Sequence, residues 1–211
     1  MRVMEDDNSC MFRAVLPTIR DAAARQGIDV STPAKLRLAI AGYITTHPDE
    51  YNEVVLEKTP NAYVNNLLDE DTWGGSIELG IISELFDIEV CVINVGTGRA
   101  MHMGENKASR CVIVWSGIHY DRIVEVYDEH AAAADADFES CVWDATASDH
   151  IVATAQKLCM TLKQRGYFTD MTAAVFRCNA CMETLIGEKA VAAHFEKTGH
   201  TNMEEIPDHG N

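Results

Sequence analysis

Positive charge is scarce in this chain. Lys and Arg number 17 against 33 Asp and Glu, a formal net charge of −16. A surface so balanced repels phosphate backbones and anionic lipid, which argues against nucleic acid and membranes as partners. No apolar run approaches the ~20 residues that span a bilayer. The opening MRVMEDD has no apolar core of the signal-peptide kind. A disulfide framework is also missing: the seven cysteines are odd in number and, one pair apart, irregular in spacing. That usage suits a metal site or a reactive thiol in a reducing compartment, cytosol or nucleus. There is no internal repeat. What is present is apolar material, 47% of 211 residues, enough for one good domain and a small second one.

Apolar spacing predicts a first helix from Cys10 to Gln26, stopped by Gly27 and capped by Asn8 or Ser9. Ser31-Thr32-Pro33 opens a second, carrying Leu36, Ile40, Tyr43 and Ile44 inward. Residues 49–69 read as short helices broken at Pro60. A turn at Trp73-Gly74-Gly75, expected to serve core and loop packing, leads into a buried helix through Phe86. IEVCVINV from Ile88 and CVIVWSG from Cys111 read as buried strands, Arg99–Met103 as a strand between them, and His119–Tyr127 as an alternating one. The class is α+β. EHAAAADADFES, beginning at Glu129, reads as a linker or variable loop, and a long helix follows from Thr146 or Ser148 to Arg165. The expected division is 1–128, 129–170 and 171–211.

The strongest local motif is Cys178-x2-Cys181, twelve residues, then His194-x5-His200. Two thiolates of a hairpin knuckle and two imidazoles around a short helix make the S2N2 set that zinc prefers. Phe176, Leu185 and Val191 supply a core too small to hold without metal. Residues 176–211 carry three Lys/Arg and six Asp/Glu, the wrong sign for reading a DNA groove. A ββα finger that is structural or binds protein is the expectation.

Cys10 invites two readings. It is a small core residue, or a nucleophile whose thiolate is favoured by the helix N-terminus. A nucleophile needs an imidazole. His194 and His200 belong to the finger, and His47, His102, His130, His150 and His209 read as surface residues. His119 lies at the mouth of a strand, two residues before Asp121, and positions i and i+2 of a strand share a side. Cys10, His119 and Asp121 are thus candidates for nucleophile, base and orienter. Spacing alone leaves the structural reading of each open.

DDNSCMF (6–12), DTWGGSIELGIISELF (71–86), IEVCVINV (88–95) and SGIHYD (116–121), in this order, resemble the ovarian-tumour (OTU) family of cysteine deubiquitinases. The finger, ending HFEKTGHTNMEEI, points to the OTU1-like subfamily of ubiquitin thioesterases. The resemblance implies a papain-like OTU fold. It implies Cys10 as nucleophile, His119 as base, and Asp7 and Asp121 as the associated acids. It implies an oxyanion hole from the N–H groups of the 7–10 loop, and Ser9, Gly117 and Ile118 along the substrate channel. The activity implied is isopeptide hydrolysis at the C-terminus of ubiquitin in polyubiquitin chains, in protein quality control, with zinc structural and no cofactor in the chemistry. Ubiquitin and its chains are the implied partners, for a cytoplasmic monomer. An AAA ATPase is a further partner of the subfamily, through a UBX-like domain that this sequence does not contain. An inactive ubiquitin-binding module, a zinc-finger adaptor and an enzyme for another ubiquitin-like modifier are the alternatives.

Overall fold

The structure is a computed structural model describing residues 1–126, 139–170, 174–200 and 202–206, without the side chains of Glu188, Glu196 and Glu205. Helix α1 spans Cys10–Gln26 and ends on Gly27, whose φ of 70° is the left-handed conformation that glycine adopts without strain. Pro17 lies inside it and has no N–H for the Arg13 carbonyl. Arg122 makes good the loss: its Nη1 donates to Arg13 O at 3.3 Å and Ala14 O at 3.4 Å. Helix α2 (Pro33–Thr46) starts with proline at its first position and Thr32 as cap. Helices α3 (Glu53–Leu56), α4 (Pro60–Leu68) and α5 (Ser76–Phe86) follow. Glu78 reaches back to the Gly75 N–H at 2.7 Å and fixes the start of α5.

Strand β1 (Ile88–Asn94) lies between β2 (Ala100–Met103), antiparallel, and β3 (Ser109–Trp115), parallel. Strand β4 (Tyr120–Arg122) pairs antiparallel with the other edge of β3. The expected nine-residue strand from His119 is therefore short, followed by a break and a two-residue β5 (Glu125–Val126). β5 pairs with β6 (Glu139–Ser140), and β7 (Trp143–Asp144) pairs with β3. Of the segment expected to be a linker, 129–140, residues 129–138 lie outside the described residues, and Glu139–Ser140 form β6.

The sheet is covered on both faces, so its central strands are apolar at nearly every position. Ile88, Val90, Val92, Cys111 and Ile113 face a core built from α1, α2 and α5. Cys91, Ile93, Val112 and Val114 face the other way, onto Val152, Ala155 and Cys159 of α6 (Asp149–Gln164). Glu89 and Arg110 form a buried pair at 2.5 Å on neighbouring strands. Arg110 also reaches Asp149 at 2.9 Å and so fastens the start of α6.

The C-terminal unit has β8 (Val175–Cys178), β9 (Thr184–Ile186) and α7 (Glu188–Thr198) in the expected ββα order. A further strand, β10 (Met203–Ile206), pairs with the free edge of β8.

Candidate active site and metal centre

Cys10 is the first residue of α1. The loop ahead of it is tied by the side chain of Asp7. Its Oδ1 accepts the Ser9 N–H at 2.9 Å, and its Oδ2 accepts Arg13 Nε at 2.9 Å. Desolvation acts to raise the Asp7 carboxyl, but Arg13 and the Ser9 N–H outweigh it and hold the group below the usual range. The Cys10 N–H lies 3.2 Å from Asp7 O, and Asn8 N–H has no partner among the described residues. The expected cap geometry is not realised. Ser9 makes no side-chain cap; its buried hydroxyl accepts from Arg37 Nη2 at 3.2 Å. Ser9 is thus turned inward and does not line the cleft.

Arg37 was not legible as a site residue. It is fully buried in α2 and donates to Leu67 O at 2.9 Å, Asn8 O at 3.1 Å and Thr72 O at 2.7 Å. Its guanidinium lies 4.0 Å over the Phe12 ring. One side chain thereby fixes the cysteine loop to the Trp73 turn. Trp73 is also more than a packing residue: it is half exposed, and its Nε1 donates to Asn8 Oδ1 at 2.5 Å. Gly74 is confined, since a Cβ there would lie 2.4 Å from Met11 Cε and 2.9 Å from Phe12 Cε2.

His119 stands just before β4 rather than within it. The i, i+2 relation holds nevertheless: His119 Nε2 is 3.2 Å from Asp121 Oδ1. Asp121 is almost fully buried and also accepts Met4 N–H at 2.8 Å and the Tyr167 hydroxyl at 2.5 Å. The other imidazole nitrogen, Nδ1, is 3.9 Å from Asp6. The chain neighbours of His119, Ile118 and Tyr120, line one cleft with Cys10, so the thiol and the imidazole loop meet at one place. Cys10, Gly117, Ile118, Trp73 and Tyr120 share a cleft of 360 Å³. Gly117 has a φ of 107°, and Ile118 is exposed.

The Cys10 thiol is pushed up from its ordinary value, chiefly by burial. N–H groups of Tyr120 and Met11 oppose this, while Asp7 and Asp121 add to it. Burial thus works against the thiolate that the helix N-terminus favours.

At the C-terminal end, Cys178, Cys181, His194 and His200 bring their ligand atoms within 4.8 Å of one another. Cys178 Sγ is 3.5 Å from His200 Nδ1, and Cys181 Sγ is 3.6 Å from His194 Nε2. Glu183 accepts at the far nitrogen of His194, 3.1 Å away, the outer contact that orients a metal-binding imidazole. Against desolvation, the N–H groups of Cys181 and Ala180 bring the Cys178 thiol down to about 6. Two soft thiolates and two imidazoles at this separation fit tetrahedral zinc.

A family model described as OTU-like cysteine protease matches residues 5–123, more than half of the sequence. The chain belongs to the OTU-like cysteine protease family. A second model, the C-terminal C2H2-type zinc finger of ubiquitin thioesterase OTU1, matches residues 176–206. The chain is 32% identical to ubiquitin thioesterase OTU1 of Danio rerio over 207 residues, 97% of this chain and 65% of that protein. It is 36% identical to a putative ubiquitin thioesterase otu1 of Schizosaccharomyces pombe, over 97% of this chain and 58% of the relative. The human ubiquitin thioesterase OTU1 is 30% identical, matched over 97% and 56%. The chain thus spans roughly three-fifths of the length of these curated relatives. A solved OTU domain in complex with ubiquitin superposes with a TM-score of 0.62 at 27% identity, covering 78% of this chain and 86% of that one. The OTU fold expected from the four motifs is the fold observed.

Proposed function

We propose that the chain is a ubiquitin thioesterase, a deubiquitinating cysteine protease acting on isopeptide bonds at the ubiquitin C-terminus. The observation that carries this is that the Cys10 thiol shares one open cleft with Gly117, Ile118 and Tyr120, the chain neighbours of His119, whose imidazole is paired with Asp121 at 3.2 Å, in an OTU domain. His119 takes the Cys10 proton through Nδ1, since Nε2 is engaged by Asp121. The thiolate attacks the scissile carbonyl. We assign the N–H of Asn8, and that of Cys10 on release of its long bond to Asp7 O, as donors to the oxyanion. Asp7 and Arg37 keep that loop in place. The lysine amine leaves with the proton from His119, and water then hydrolyses the thioester. Gly117, bare of a side chain, and Ile118 flank the extended Gly-Gly tail.

Zinc, held by Cys178, Cys181, His194 and His200, supplies folding energy to the finger and takes no part in the chemistry. Ubiquitin and polyubiquitin chains are the assigned partners, in protein quality control. Free thiols, including Cys10, suit the cytoplasm. No helix among the described residues is long and apolar enough to cross a membrane. The test is cleavage of diubiquitin by the full chain and by His119→Gln. Turnover by the first and a loss of at least ~100-fold in the second are expected; equal turnover would remove His119 from the mechanism.

A further inference from the structure

The segment after α6 makes three contacts with the histidine side of the cleft. The Tyr167 hydroxyl donates to Asp121 Oδ2 at 2.5 Å. The Thr169 N–H donates to Ser116 O at 2.8 Å. A Cβ on Gly117 would lie 2.1 Å from Thr169 O, so the backbones of the two segments are in direct apposition. Phe168 packs as tightly over Gly96, where a Cβ would meet its ring at 2.1 Å. These residues lie beyond the 5–123 span that matches the OTU family model.

We propose that Tyr167–Thr169 is part of the catalytic apparatus, with Tyr167 the positioning residue that holds Asp121 toward His119. This rests on the cysteine-protease reading above. A carboxylate has two oxygens. One serves His119 and the Met4 N–H. The phenol occupies the other, fixing the plane of the carboxylate and leaving it no second orientation. Thr169 does the same for the backbone: with Ser116 O held, the turn Gly117–Ile118 that presents His119 is pinned at its start. The groups around this pair are Cys10 on α1, Asp6, Asp7 and the Met1 amino group on the N-terminal segment, and Tyr167 itself. Tyr167 is the one that donates a side-chain hydrogen bond to Asp121, apart from His119.

The test uses the full chain and the variant Tyr167→Phe, which keeps the ring and deletes the donor. The substrate is ubiquitin with a fluorogenic amide at its C-terminus. We expect kcat to fall roughly tenfold, the value of one hydrogen bond to a charged group, with KM nearly unchanged. The acid limb of the kcat/KM profile should move to higher pH, because a carboxylate relieved of the phenol holds the imidazolium proton more firmly. In an Asp121→Asn background the same change should cost little more, since the two act as one unit. Wild-type kcat and limb would overturn the proposal. So would a rise in KM alone, or full additivity with Asp121→Asn, which stays readable if Tyr167→Phe is less stable. Cys10→Ala separates the levels: turnover there overturns the parent reading, whereas wild-type behaviour of Tyr167→Phe overturns this one alone.

Discussion

Arg37 shows how much a single side chain can decide. Its guanidinium is buried against four carbonyls, one hydroxyl and the Phe12 ring, and its hydrogen-bond partners lie 28–35 residues away in sequence. Nothing in the helical pattern of α2 distinguishes it from an exposed arginine, because its partners are brought to it by the fold. Arg37→Met should leave those carbonyls unpaired, cost ~3 kcal/mol by urea denaturation, and lower kcat/KM for a ubiquitin substrate about tenfold. Unchanged stability would show that water replaces it. Asp7 is the opposite case. The OTU resemblance implied it, and its two oxygens hold the loop.

Between elements, β1 and α1 read clearly because their signals are local: a mostly apolar, β-branched run and a stripe ended by Gly27. β4 read less well, since alternation continues past Arg122 while pairing with β3 stops there. The break matters for the site, because His119 sits in the turn ahead of the strand. Gly117→Ala should therefore cripple turnover, as its Cβ strikes the Thr169 carbonyl and its φ of 107° is strained for alanine; near-wild-type kcat would show that the turn yields. The Glu89–Arg110 pair binds β1 to β3. Desolvation disfavours the Glu89 carboxylate, yet Arg110 and then His102 hold its pKa below the ordinary 4.5. A depressed carboxyl adds stability that is fully present above that value and is lost as pH falls through the lowered one. Glu89→Gln should thus cost ~3 kcal/mol near neutrality, with the gap to wild type closing in acid below pH 4.5. A gap independent of pH would contradict it.

For the whole molecule, the chain divides its sources of stability. The OTU unit has two apolar layers on one sheet, whereas among the described residues of the finger the large buried side chains are Phe176, Leu185 and the ligands Cys178 and His194. A strong chelator should release one zinc per chain and strip hydrogen-exchange protection from β8, β9 and α7, leaving β1 and β3 protected. The tetrad was legible because its spacing is a local code, and so was the order of the OTU motifs. The contribution of Tyr167 was not, since it reaches Asp121 across 46 residues. The account turns on Cys10, one of several free cysteines and one whose thiol is pushed up by burial like Cys91, Cys111 and Cys159. What sets it apart is its place in the cleft beside the His119 turn. The most direct measurement is labelling of the intact protein by a ubiquitin probe with a C-terminal electrophile, with the adduct mapped by mass spectrometry. One ubiquitin on Cys10, abolished by Cys10→Ala, is the result predicted. A folded, zinc-loaded protein that forms no adduct, or forms it on another cysteine, would contradict the account.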